Sequence, residues 1–361
     1  MKSCKKCLIS EAVAEISLNS QGVCNLCQNY SYNKDQEEAH RKLREADLDA
    51  AIKDCRNRGE YDCLVPVSGG KDSIYLLYKL KVEYGLRILA FTTDINIPPI
   101  AWDNIIRTLD KLEIDHVIYR PSKKFYQKIF GFLLKNQEAR GAVYTLSYVY
   151  APLFEGNAIK LAIEKNIPLV LAGYSPGQPE PERMFYEFSR KLITEIDWTP
   201  PALKASADFD NQELSRFFNH NNYPKGTQFP RYLAPYHAWQ YNQEEIMRKV
   251  VDLRLVKSSK HASPIFSNYP INWLLMYSDL KHFGYNPYLP EFAALIREGK
   301  ANLQQWKLLL PIIDFMIRNK VLLGKEVKTS LQWLEMSEDE LVINQPKGAY
   351  DPPYNNIEKG V

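Results

Sequence analysis

The chain has 361 residues, of which 45% are hydrophobic and 25% charged, an ordinary globular usage that excludes a disordered chain, a collagen and a coiled-coil rod. With 46 Lys and Arg against 43 Asp and Glu, its formal charge of +3 is close to neutral and gives no support to a dedicated nucleic-acid binder, which carries a basic stripe. There is no run of about 18 apolar residues and no signal-peptide core near Met1, so no membrane span is expected and a cytoplasmic protein is the default.

In chain order, residues 1–30 hold two cysteine pairs and read as a small knuckle. Residues 31–60 are polar with Leu43, Ala46, Leu48, Ala50 and Ile52 interspersed, which suits a linker helix. A buried strand is expected over 61–67, a turn over 68–73, and a helix over 74–83 with Ile74, Leu76, Leu77 and Leu80 on its apolar side, ended by Gly85. Further strands are expected over 87–92, 117–119, 168–171 and 231–238, and helices over 102–112, 125–134, 158–165 and 243–251. Strands alternating with helices imply crossover connections, hence an α/β fold with a parallel five-stranded sheet. Residues 176–230, rich in Pro, Asn, Asp and aromatics, read as an insertion or lid over the sheet's carboxyl edge, so that 61–255 forms one α/β domain. Residues 256–361 read as a helical C-terminal region with a loose tail from Pro346.

The turn carries the strongest chemical signal. Pro66-Val67-Ser68-Gly69-Gly70-Lys71-Asp72-Ser73 lies between a strand and a helix, where a parallel sheet presents backbone N–H groups to an anion. Gly69 and Gly70 let the backbone curl and approach closely. Ser68 and Ser73 offer hydroxyls, Lys71 offers charge, and the following helix offers the positive end of its dipole. Together they make a phosphate cradle. The spacing is neither Walker A nor the dinucleotide fingerprint.

Cys4-Lys5-Lys6-Cys7 and Cys24-Asn25-Leu26-Cys27 carry the spacing of a four-cysteine zinc ribbon or knuckle. Zinc there would be structural, since four thiolates leave no open position for water. An iron–sulfur cluster also suits four thiolates. Cys55 and Cys63 read as structural, with Cys63 inside the first strand.

The Ser-Gly-Gly-Lys-Asp-Ser loop after a hydrophobic strand resembles the PP-loop ATP pyrophosphatases, adenine nucleotide alpha-hydrolases that cleave ATP between its α and β phosphates, adenylate a carbonyl oxygen and let a nucleophile displace AMP. The resemblance implies that Ser68, Gly69, Gly70, Lys71, Asp72 and Ser73 hold the leaving pyrophosphate, that Lys71, Asp72 and Ser73 are the catalytic group, and that Asp72 helps place Mg²⁺. It places adenosine contacts at Phe91-Thr92-Thr93-Asp94, and nucleotide or substrate contacts at Leu171-Ala172-Gly173-Tyr174-Ser175. Leu233-Ala234-Pro235-Tyr236 with Glu244-Glu245-Ile246 is similar to a late signature of the same family. The N-terminal knuckle and the stretch from Tyr277 to Pro287 resemble the N-acetyl sugar amidotransferases within it. The chain departs from that group at Asn268-Tyr269-Pro270, where a further cysteine is common.

That resemblance implies ATP and Mg²⁺, a small-molecule substrate such as a nucleotide- or glycan-linked N-acetyl sugar, and ammonia supplied free or by a separate glutaminase subunit, since no glutaminase segment is evident. A homo-oligomer is left open. The alternative is sulfur transfer to a thioamide or a tRNA base, and a third reading is a non-catalytic nucleotide sensor. Near-neutral charge disfavours tRNA, and only Cys55 and Cys63 stand outside the knuckle as sulfur carriers. Arg183, Lys191, Arg216, Lys225 and Arg231 are candidates for a clamp on an anionic substrate, with solvated surface charge as the plainer alternative for each.

Overall fold

The structure, a computed structural model, describes residues 2–30, 34–176 and 186–350. Arg183 and the tail beyond residue 350 lie outside the described residues.

Five strands, β1 (Cys63–Pro66), β2 (Ile88–Thr93), β3 (Asp115–Tyr119), β4 (Leu169–Leu171) and β5 (Arg231–Leu233), form one parallel sheet in the order β3-β2-β1-β4-β5. Leu64 at the centre sits opposite Leu89 on one side and Val170 on the other. The period of two divides the side chains cleanly between the faces. Cys63, Val65, Ile88, Ala90, Leu169, Leu171 and Leu233 share one cluster, while Leu64, Leu89, Phe91, Val170 and Tyr232 share the other.

Helices cover the first face. They are α1 (Lys34–Cys55), α2 (Lys71–Tyr78, running on into a π turn, Lys79–Glu83), α3 (Pro99–Leu112) and, after β5, a helix over Gln243–Asp252. α3 reads as its sequence predicts, with Ala101, Ile105, Thr108, Leu109 and Leu112 buried on one stripe. α1 is tied to the domain. Leu48 and Ile52 enter the first cluster, and Arg41 and Arg44 donate to the carbonyls of Ala238 and His237.

The second face is covered by the C-terminal half of a helix over Ala142–Glu164 and by Phe188, Trp198 and Phe218. The described part of the segment expected as a lid thus lies against the sheet, and none of it lines the cavity at the sheet's carboxyl edge. The cations expected there go elsewhere. Arg231 pairs with Asp47 and Glu187, Arg216 lies over the Phe125 ring, and Lys191 and Lys225 are exposed.

Two expectations are corrected. The helix expected over 158–165 begins at Ala142 and spans 23 residues with Pro152 inside it. Its first half shows no 3.6-residue stripe because it is buried between neighbours. Val143, Leu146, Val149 and Leu153 pack in a second core with α4 (Lys123–Lys135) and the C-terminal helices. The tail expected to be loose from Pro346 is held to residue 350. Ile343–Gln345 pairs with Gln137–Glu138, and Tyr350 is 1% exposed with its hydroxyl donating to the Asn136 carbonyl at 2.8 Å.

Calling the 142–164 helix α5 and the 243–252 helix α6, the C-terminal region adds α7 (Ile271–Phe283), α8 (Leu289–Arg297), α9 (Leu303–Asn319) and α10 (Glu326–Leu334). α7 caps α5. The Asp279 carboxylate accepts from the N–H groups of Ala142 and Val143 at 2.5 and 3.1 Å. Gly141 makes room for it at φ +100, where a Cβ would stand 2.4 Å from Asp279 Oδ1. Burial pushes the Asp279 carboxyl up to about 7 against those two donors. Its folded value lies above its unfolded one, so the group's contribution to stability is full below about pH 4 and is lost as pH rises toward 7. Asp279→Asn is expected to flatten this dependence. Urea midpoints at pH 4.5 and 7.5 measure it, and an unchanged wild-type slope in the variant would refute the assignment.

Candidate active site

The strand order reverses between β1 and β4, and the crevice beyond their carboxyl ends is where an open parallel sheet takes a ligand. A cavity of about 360 Å³ lies there, lined by the 66–73 bend, Phe91 and Thr93 of β2, Phe154 and Glu155 of α5, residues 172–174 after β4, and Tyr232. Pro264, Ser267, Asn268 and Tyr269 come over its mouth.

The bend is built by backbone packing. Gly69 has φ +79, and a Cβ on it would lie 2.4 Å from the Ala101 carbonyl oxygen of α3. Gly173 lies so close to the bend that its Cβ would stand 3.0 Å from the Ser73 nitrogen. Gly70 differs. It has φ −73, and the nearest atom to its Cβ position is Ser68 Oγ at 3.5 Å. The space above it is open to the cavity, and as N-cap of α2 it makes no side-chain capping bond. The first turn of α2 thus borders the cavity without a side-chain capping bond, which suits an anion. Ser73 Oγ donates to the Gly70 carbonyl at 3.0 Å and lies 3.4 Å from Ser68 Oγ.

Lys71 and Asp72 line the cavity and are also held from behind. Lys71 Nζ donates to Asp72 Oδ2 at 2.5 Å and to the Tyr241 hydroxyl at 3.2 Å. Tyr241 in turn donates to Asp72 Oδ1 at 3.0 Å, and Tyr236 donates to the Asp72 carbonyl at 2.7 Å. Asn104 of α3 donates from its amide to the carbonyls of Gly69 and His261, both at 2.9 Å.

β2 separates its threonines. Thr92 is 1% exposed, donates to the Val67 carbonyl at 2.9 Å and contacts His116 Nε2 at 2.8 Å, so it braces the entry to the bend. Thr93 faces the cavity, 7% exposed, and its hydroxyl has no hydrogen-bond partner among the described residues. Such an orphan is costly unless a ligand or water satisfies it. Asp94 stands in a neighbouring cavity, where Arg120 pairs with one carboxylate oxygen at 2.6 Å and the N–H groups of Asn96 and Ile97 donate to the other. Gly173 and Tyr174 line the first cavity, with the Tyr174 hydroxyl donating to Glu155 Oε1 at 2.8 Å.

Sequence reasoning missed Asn104, Glu155, Tyr241 and the cover at Pro264 and Ser267, and it met Asn268 and Tyr269 only as a departure from the family pattern. Asn104 carried a readable signal, as a polar side chain on the apolar stripe of α3. Glu155, Tyr241 and the cover stand in stretches where neither periodicity nor motif marks them.

Cys4, Cys7, Cys24 and Cys27 converge at the N-terminus with all four sulfurs within 4.8 Å of one another. The N–H groups of Lys6, Cys24 and Cys27 point at sulfur at 3.3–3.4 Å, and Arg297 of α8 donates to Cys7 Sγ at 3.5 Å. Burial alone would raise Cys4, but the N–H groups of Cys24, Lys6 and Cys7 outweigh it and bring the thiol down to about 7. Burial pushes Cys7 and Cys27 up. Four thiols sharing one small volume suit a bound cation, which would neutralise their thiolates. The knuckle packs on Ala293 and Ile296 of α8. At the start of α8, burial pushes Glu291 up to about 8, opposed by the nearby charge of Lys71.

No family model matches the sequence, and no curated protein sequence matches it either. Among solved structures, the U34-tRNA thiolase NcsA from Methanococcus maripaludis with its [4Fe-4S] cluster is similar at 14% identity, over 94% of this chain and 90% of that one, with a TM-score of 0.35. The NH3-dependent NAD synthetase from Campylobacter jejuni in complex with the nitrate ion is similar at 14% identity over 82% and 97%, with a TM-score of 0.35. The NMN synthetase from Francisella tularensis is similar at 12% identity over 84% and 97%, with a TM-score of 0.36.

The two glycines of the bend are expected to fail differently. Gly69→Ala meets backbone at a left-handed φ and should cost about 2 kcal/mol or more of stability, read as a lowered Tm. Gly70→Ala meets open space, should leave Tm within about 2 °C, and should abolish anion binding in the cradle. Equal loss of Tm in both variants would contradict this division.

Proposed function

We propose that the chain is an ATP pyrophosphatase of the PP-loop type that adenylates the carbonyl oxygen of a small-molecule amide, with ammonia displacing AMP to give an amidine. The acceptor in this reading is a nucleotide- or glycan-linked N-acetyl sugar. The observation that carries it is the pairing of the open Gly70 cradle with the buried, unpartnered Thr93 hydroxyl across one cavity at the sheet's switch point.

In this reading the N–H groups and hydroxyls of the 68–73 bend hold the β and γ phosphates of ATP. Thr93, Gly173 and Tyr174 contact the adenosine side. The acceptor oxygen attacks the α phosphorus, the bond to the β phosphate breaks, and pyrophosphate leaves into the cradle. Lys71, released from Tyr241, stabilises the charge that grows on the leaving group. Ammonia then adds to the activated carbon and AMP departs with the oxygen. Mg²⁺, for which Asp72 and Glu155 are the carboxylates among the described lining residues, would neutralise phosphate charge when bound. A separate glutaminase subunit or free ammonia would supply the nitrogen.

Nitrogen is favoured over sulfur by the placement of the thiols. Cys55 and Cys63 are both buried within the sheet's first cluster, and neither they nor the knuckle cysteines are among the described residues lining the cavity. Burial pushes Cys55 up to about 11, the wrong direction for a persulfide carrier. At the knuckle we propose zinc. Sulfur pairs at 3.6 and 3.8 Å suit the edge of about 3.8 Å of a tetrahedron with Zn–S bonds of about 2.3 Å. A cubane binds each cysteine through a different iron, which sets the sulfurs farther apart.

The purified protein is expected to release AMP and pyrophosphate from ATP when given an N-acetylated nucleotide sugar and ammonium. Lys71→Ala should lower the rate on the order of 100-fold or more, and it also leaves the Asp72 carboxylate without its ion-pair partner, so Tm is read alongside and the rate is compared below the variant's own Tm. Turnover with sulfide and none with ammonium would overturn the nitrogen assignment. Elemental analysis is expected to give one zinc per chain, lost in Cys24→Ser. A brown protein with iron and acid-labile sulfide would refute that.

A further inference from the structure

A second cavity of about 570 Å³ lies beyond the carboxyl ends of β2 and β3. It shares no lining residue with the first among the described residues, although Asp94 follows Thr93 directly and the ring of Tyr126 stacks at 6.4 Å on Phe154, which lines the first. The two cavities stand back to back across one aromatic pair. The volume is within the range of small-molecule sites, about 300–1,000 Å³.

Its walls come from three separate helices. α3 brings Trp102, α4 brings Tyr126, and α10 of the C-terminal region brings Trp333. Flat rings from independent elements around one space give a ligand ring faces to stack on. The charge at this cavity is unbalanced. Asp94 is the one acid among the described lining residues, and Arg120 neutralises it at 2.6 Å. Lys123 is a second cation, exposed and without an ion pair among the described residues. The site thus carries surplus positive charge beside aromatic walls. Arg120 keeps most of its side chain, 73%, in solvent. It can turn its remaining N–H groups toward an anion without releasing Asp94.

We propose that this second cavity binds a phosphorylated ring, a nucleoside or sugar phosphate, with the ring against the aromatic walls and the phosphate at Lys123 and Arg120. It does so while the first cavity holds its own nucleotide. The site stands whether or not the first cavity turns ATP over.

Calorimetric titration of the intact, metal-loaded chain tests this. The probes are uridine 5′-monophosphate and glucose 1-phosphate, each in the presence of saturating α,β-methylene-ATP. At least one probe is expected to bind at one per chain, and the two arms separate a base from a sugar as the stacked ring. Lys123→Glu, at an exposed position, should weaken that probe at least tenfold and leave both the analogue's affinity and Tm unchanged. Trp333→Leu should weaken it comparably, with Tm as the control for folding. Binding of neither probe overturns the proposal, as does unchanged affinity in Lys123→Glu. Displacement of the probe by the analogue also overturns it, by making the cavity part of the first site. Binding of the analogue itself is measured separately, so a failed second site and a failed first site give different results.

Discussion

Two backbones press on the 68–73 bend and leave it one shape. From one side the Ala101 carbonyl closes on Gly69, and from the other Gly173 closes on Ser73. Neither contact tolerates a Cβ without movement. With the path of the chain fixed in this way, the first turn of α2 is held at the edge of the cavity, uncapped by any side chain. The side chains behind the bend then act as ties. Asn104 holds the Gly69 carbonyl and Tyr236 holds the Asp72 carbonyl. A cradle made this way is preorganised. Its dipoles are oriented before any phosphate arrives, which is the condition under which such groups stabilise developing charge most effectively.

The sheet and the bend were legible in the sequence because they obey short-range rules. β1 and β2 are brief apolar runs bounded by turn residues, and α3 shows a stripe at helical spacing. The bend declares itself by glycines and hydroxyls packed into six positions. The first half of α5 was not legible, since the sequence from Ala142 to Phe154 carries no charged residue to betray its period. The division of labour between Thr92 and Thr93 follows from strand alternation, but which of them faces the ligand depends on which sheet face α5 covers. The cover at 264–269 and the partner Tyr241 reach the site from more than 160 positions downstream of the bend. No local pattern encodes such an approach.

The resting arrangement of Lys71 bears on electrostatics. Its ammonium is compensated by Asp72 and steadied by Tyr241, in surroundings of low exposure. An anion entering the cradle competes for a cation that already has a partner, so part of the attraction is used in separating that pair. The arrangement keeps a buried charge satisfied within the protein itself.

α8 is a rod of nine residues, about 13 Å long at 1.5 Å per residue. Its far end is seated on sulfur through Ala293, Ile296 and Arg297, and its near end brings Glu291 within the field of Lys71. The knuckle is therefore a footing for a helix whose other end reaches the neighbourhood of Lys71. Whatever disturbs the four cysteines is thereby felt first along α8, while the five strands, which share no core cluster with the knuckle, keep their own packing.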